Sequence, residues 1–152
     1  MPEKMNYSEK VSKKLNMLLE KNYDAEKGYK NAAENAQDKQ LKVFFSERAQ
    51  ERYDFGHELK TEIRNFGENP DKGSSLAGDA HRTWMNLKTS LSSNKEDAAL
   101  EEAVRGEKVA VDEYEDVLKD PEIPPTTANL LMKQRNGIVA ALNKLKSMEL
   151  QS

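Results

Sequence analysis

The stretch from Leu15 to Ala36 constrains this chain more than any other. Leu15, Leu18, Asn22, Ala25, Glu26, Tyr29, Ala33 and Ala36 recur at spacings of three and four, which places them on one helical face. That face is apolar at both ends and polar in its middle. A stripe that enters a core while carrying Asn22, Glu26 and Tyr29 needs partners for those groups, because a charge buried alone is very costly. The partners must come from other helices, so the first helix already implies a multi-helix core with a polar layer inside it.

The remaining segments supply those helices. The first opens near Tyr7-Ser8-Glu9, with Ser8 as N-cap, and at 1.5 Å per residue runs roughly 40 Å to Ala36. Asp38 caps a second helix after a very short link, which makes the two antiparallel neighbours. Leu41, Phe45, Arg48, Ala49, Arg52, Gly56, Leu59, Ile63 and Phe66 share its inner face, and Gly67 is its C′ residue, with Pro70 and Gly73 beyond. Ser75 to Ser92 is a shorter amphipathic helix marked by Leu76, Ala80, Trp84, Leu87 and Leu91. The segment from Gly67 to Ser93 is long enough to walk back along a bundle, so the next helix can start at the same end as the second and run parallel to it. Asn94 caps that third long helix, which reaches Lys119 with Leu100, Ala103, Val104, Glu107, Ala110, Val111, Tyr114 and Leu118 inward. DPEIPP stops it, and a fourth long helix follows from Thr126 to Glu149 with Leu131, Gln134, Ile138, Leu142 and Leu145 on its core side. The expected architecture is all-α: a ferritin-like four-helix bundle with a helical crossover between helices two and three.

Size and charge narrow the function classes. The chain has 152 residues, which predicts a single bundle domain over 1–152. Its 24 basic and 27 acidic residues alternate along the sequence and give a net charge of -3, which argues against a nucleic-acid partner. There is no cysteine, hence no disulfide framework, thiolate metal site or cysteine nucleophile. MPEKMNYSEKV lacks the apolar run of a signal peptide, and no segment approaches the roughly 20 apolar residues of a membrane span. The expectation is a soluble, cytoplasmic protein with no membrane partner. A homo-oligomer or protein partner is compatible with the sequence, and neither is identified by it.

The chemistry concentrates in the polar middle. At about 100° per residue, Glu26, Arg48, Arg52 and Glu107 all fall inside their apolar stripes. Counting from the two short turns sets Glu26 beside Arg48, with Arg52 one turn deeper, and Glu107 opposite Arg135; if helices two and three are parallel, Arg52 and Glu107 also fall at similar depth. The expected core polar layer is therefore Glu26, Arg48, Arg52, Glu107 and Arg135, with Asn22, Tyr29, Tyr114 and Gln134 close enough to hydrogen-bond. Two core glutamates in such a bundle also suit a di-iron or di-manganese site with Glu26 and Glu107 as ligands, since hard oxygen ligands fit those metals. Such a site also needs Glu-x-x-His on two helices, and neither of the two histidines completes it. Asp54 and His57 come closest but lie on the solvent face, where they could at most hold a surface metal weakly. Arginines at ligand positions repel a cation, so a structural salt-bridge layer without a metal cofactor is the preferred reading. His81 and Trp84 on the crossover are candidates to line a ligand pocket. No P-loop, dinucleotide fingerprint or serine nucleophile signature is present.

Three segments carry a family resemblance: NYDAEKGYKNAAENAQDKQLKVFFSERAQER, GSSLAGDAHRTWMNLKTSLSS with its HRTWMNLK core, and LEEAVRGEKVAVDEYEDVL with its RGE. Over Leu15 to Leu145 the chain resembles the uncharacterised bacterial ferritin-like four-helix-bundle proteins classed as a domain of unknown function. The resemblance implies the bundle fold and carries no assigned reaction. It matches Glu26 and Glu107 to the helix-one and helix-three acids of ferritin-like metal sites, while both Glu-x-x-His motifs are missing and Leu142 stands where relatives carry a histidine. Two functions follow as expectations. The first is a non-catalytic bundle with a structural, interaction or stress-related role. The alternative is a metal-binding or oxidant-handling protein with a reduced carboxylate set.

Overall fold

Local signals in the sequence account for several of the helix ends in the computed structural model, which describes residues 6–72 and 79–151, with side chains at 6–72 and 83–150. There are five helices: α1 (Tyr7–Asn35), α2 (Lys39–Asn65), α3 (Asp79–Ser92), α4 (Glu96–Leu118) and α5 (Pro125–Gln151). No strand occurs among the described residues.

The first helix is capped by Asn6 rather than Ser8: the Asn6 side-chain oxygen accepts from the Glu9 amide at 2.9 Å. Asp38 caps α2, accepting from the Gln40 and Leu41 amides at 2.8 and 3.1 Å. Gly67, at φ 78°, ends α2 in a Schellman arrangement, with the Glu68 amide on the Ile63 carbonyl and the Gly67 amide on Arg64. Asn94 does not cap the helix that follows it. At φ 60° it ends α3 in the same arrangement, with the Lys95 amide on the Ser90 carbonyl at 2.8 Å. Asparagine tolerates that left-handed geometry because its short polar side chain is the least strained after glycine.

Contacts between helices fix their directions. The three-residue link Ala36 to Asp38 folds α2 back along α1. Lys14 pairs with Asp120 and Lys21 with Glu113, so α4 runs opposite to α1. Thr127 donates to Glu62 and Gln134 to Glu58, so α5 runs opposite to α2. Helices α2 and α4 therefore point the same way, while α3 packs across α1 and α4. The core is a continuous apolar cluster in which Leu15, Leu18, Leu59, Ile63, Leu87, Leu131, Ile138 and Leu145 are fully buried. An aromatic group joins three helices: the Tyr29 ring centroid lies 5.9 Å from Phe45 and 4.8 Å from Trp84. None of the described helices is long and apolar enough to cross a membrane.

Candidate functional site

The hairpins α1/α2 and α4/α5 are each tightly packed, but between the hairpins the backbones approach sparsely. Long polar side chains fill the gap. Arg52 of α2 and Glu107 of α4 are 3% and 1% exposed, and the Arg52 Nη2 donates to Glu107 Oε1. Arg52 Nη1 donates to Asn22 Oδ1 of α1 at 2.8 Å. Asn22 Nδ2 donates to the Leu18 carbonyl at 2.8 Å and to the Tyr114 hydroxyl at 2.9 Å. Tyr114 in turn donates to Gln134 Oε1 of α5 at 2.7 Å, and Gln134 Nε2 donates to the Phe55 carbonyl and to Glu58 Oε1 at 3.2 and 3.1 Å. One hydrogen-bonded chain thus crosses all four long helices.

Burial sets the electrostatics of this chain. It pushes the Glu107 carboxyl above its usual range, an effect that the Arg52 guanidinium offsets only in part, with Tyr29 and Arg48 contributing less. Burial works against the Arg52 charge too, but Glu107 and the neighbouring tyrosines hold the guanidinium above its ordinary value. Arg52 is therefore the fixed cation of the pair and Glu107 the member that titrates. Tyr114 is pushed up to about 12 by burial, against the opposing influence of Arg52 and Asn22. Tyr29 is pushed well above its usual value by burial, then by Glu107. Its hydroxyl lies beside the Glu107 carboxylate, and the Arg48 Nε is buried without a hydrogen bond.

Of the other residues expected in this layer, Glu26 and Arg135 lie elsewhere and Arg48 sits at its edge. Glu26 is half-buried in an outer groove between α1 and α2, beside Lys30, Ser46 and Tyr53. Helix α3 covers the flank of α1 that carries Asp24 and Gly28, which turns the buried arc away from Glu26. Arg48 does not pair with Glu26, although it is near enough to Glu107 and Tyr29 to act on both. It pairs with Glu51 at 3.0 Å and lies over the Phe44 ring, which Lys144 of α5 also caps. Arg135 does not reach Glu107. It sits 3.6 Å from Glu115, while Gln134 takes the inward position. The Tyr114–Gln134 and Glu115–Arg135 contacts set an antiparallel register that brings Leu142, not Arg135, to the depth of Glu107. Asp54 and His57 are exposed; Asp54 accepts from Gln50 at 3.0 Å, and the His57 ring is 2.9 Å from the Tyr53 hydroxyl.

These positions do not fit a di-metal centre. Glu26 and Glu107 face different surroundings, and the Glu107 oxygen that would meet a cation already meets a guanidinium. Among the described residues no group of three or more His, Asp or Glu is placed to hold a metal ion.

Trp84 is the second site of interest; the His81 side chain lies outside the described residues. The indole is clamped between two mid-helix glycines. A Cβ on Gly28 of α1 would lie 2.7 Å from Trp84 Cβ, and one on Gly106 of α4 2.9 Å from Trp84 Cζ2. Sequence reasoning passed over both glycines, although an uncompensated glycine inside a helix is itself a signal of close approach. A family model described as a domain of unknown function (DUF2383) matches residues 10–120. No curated protein matches the chain.

Proposed function

The chain belongs to this DUF2383 family of unknown function, and from that premise we propose that it is a non-catalytic bundle of ferritin-like topology. The whole of 1–152 forms its one domain, α3 lies on the crossover between the parallel helices α2 and α4, and an arginine–glutamate layer takes the place of a di-metal site. Its role on this reading is structural, interactive or stress-related, inside the cell. The observation that carries it is the engagement of Glu107 by Arg52 in full burial, with Arg52 also bonded to Asn22 and Tyr114 to Gln134. A carboxylate so held is neutralised by the protein itself, and a metal would have to displace a buried guanidinium.

Metal content and urea midpoints of the wild type, Glu107→Ala and Glu107→Gln test this. Without Glu107 the Arg52 charge is buried and unpaired, so Glu107→Ala should destabilise by about 3 kcal/mol or more. Glu107→Gln should cost less, because its amide oxygen still accepts a hydrogen bond. Iron or manganese bound stoichiometrically to the wild type and lost with Glu107 would replace this reading with the metal-binding alternative.

A further inference from the structure

Helices α1, α3 and α4 enclose a pocket of about 320 Å³ beside Trp84, with Arg52 in its lining. That volume is at the small end of ligand sites and suits a single ring with one acidic group rather than a nucleotide. Its apolar walls are Ala25, Trp84, Val109 and Ala110. The lining also presents three cations, Lys21, Arg52 and Arg105, against one carboxylate, Glu113. Glu107 offsets Arg52, and Glu102 holds Arg105 at 2.7 Å.

Lys21 is the loosest of the three. It stands 3.5 Å from Glu113, longer than the roughly 2.7–2.9 Å of a charge-assisted hydrogen bond. We propose that this pocket binds a small planar organic anion, its ring against Trp84 and its acidic group on Lys21 with Arg105 at the mouth. Burial already pushes the Glu113 carboxyl up. An anion that takes Lys21 therefore leaves Glu113 free to accept a proton instead of remaining an unpaired charge. A cationic ligand of the same shape would have to compete with Lys21 for Glu113, because Glu107 and Glu102 are already engaged by Arg52 and Arg105. The inference does not depend on the reading of the Arg52–Glu107 layer, since neither its ligand nor its probe is a metal.

Trp84 is the only tryptophan, so its emission reports the pocket directly. Benzenesulfonate should change that emission saturably, and benzylammonium should bind about tenfold more weakly or worse. Lys21→Gln should weaken benzenesulfonate binding by about tenfold. Val109→Phe, at the partly exposed rim, should block it while far-UV circular dichroism stays native. Should Val109→Phe fail to fold, Lys21→Gln decides. Absence of a saturable change up to about 10 mM, equal binding of benzylammonium, or undiminished binding in Lys21→Gln would each overturn the proposal.

Discussion

At the scale of the residue, the buried tyrosines make the polar midsection pH-sensitive on the alkaline side. The neutral phenol is what burial favours at both Tyr29 and Tyr114. Because their folded values lie above the unfolded one, their contribution to stability is complete below an unfolded value of about 10. It is lost as pH rises from there, for Tyr114 towards about 12. Phenolate absorbance from these two rings should therefore appear together with loss of helical circular dichroism, not before it. Ionisation of all five tyrosines in a chain still fully helical would show that the layer is wetter than the structure describes.

At the scale of the element, α3 is held by what α1 and α4 lack at the contact. A helix-interior glycine costs about 1 kcal/mol relative to alanine. At Gly28 and Gly106 that loss admits the indole, and with it the burial of Trp84, Leu87 and Leu91. Alanine at either position recovers helix propensity but drives a Cβ into Trp84, and overpacking of that kind costs about 1–3 kcal/mol. Gly28→Ala and Gly106→Ala should each be net destabilising, with a shifted Trp84 emission, and Gly28→Ala should be the worse because it meets the indole's own Cβ close to the α3 backbone. A stabilised variant with unchanged emission would mean that α3 is not seated on these glycines.

At the scale of the molecule, the family match and the folded unit differ in extent. The match ends at residue 120, before α5 begins at Pro125. Yet α5 buries Leu131, Ile138, Leu142 and Leu145 and provides Gln134, the acceptor for the Tyr114 hydroxyl. A chain ending at Asp120 should lose cooperative thermal unfolding, since it exposes the inner face of α4 and strips a buried donor of its partner. A sharp two-state melt of that truncated chain would show that α5 is an accessory to the bundle.

The helices and their inward faces were legible in the sequence, because the periodicity that places Arg52, Glu107, Asn22, Tyr114 and Gln134 on buried stripes is local to each helix. What joins those stripes was not. Arg135 and Leu142 are two helical turns, roughly 10 Å, apart, and counting through the irregular DPEIPP turn put the first where the second lies opposite Glu107. The placement of Glu26 depended on which flank of α1 was closed by α3, and Arg48 took a partner on its own helix, Glu51, rather than one on α1. Sequence by itself determined the all-helical architecture and the inward placement of Asn22, Arg52, Glu107, Tyr114 and Gln134. Only the tertiary structure decided which charges meet, because register and rotation about each helix axis are set by packing between elements and leave no trace in the period of any one of them.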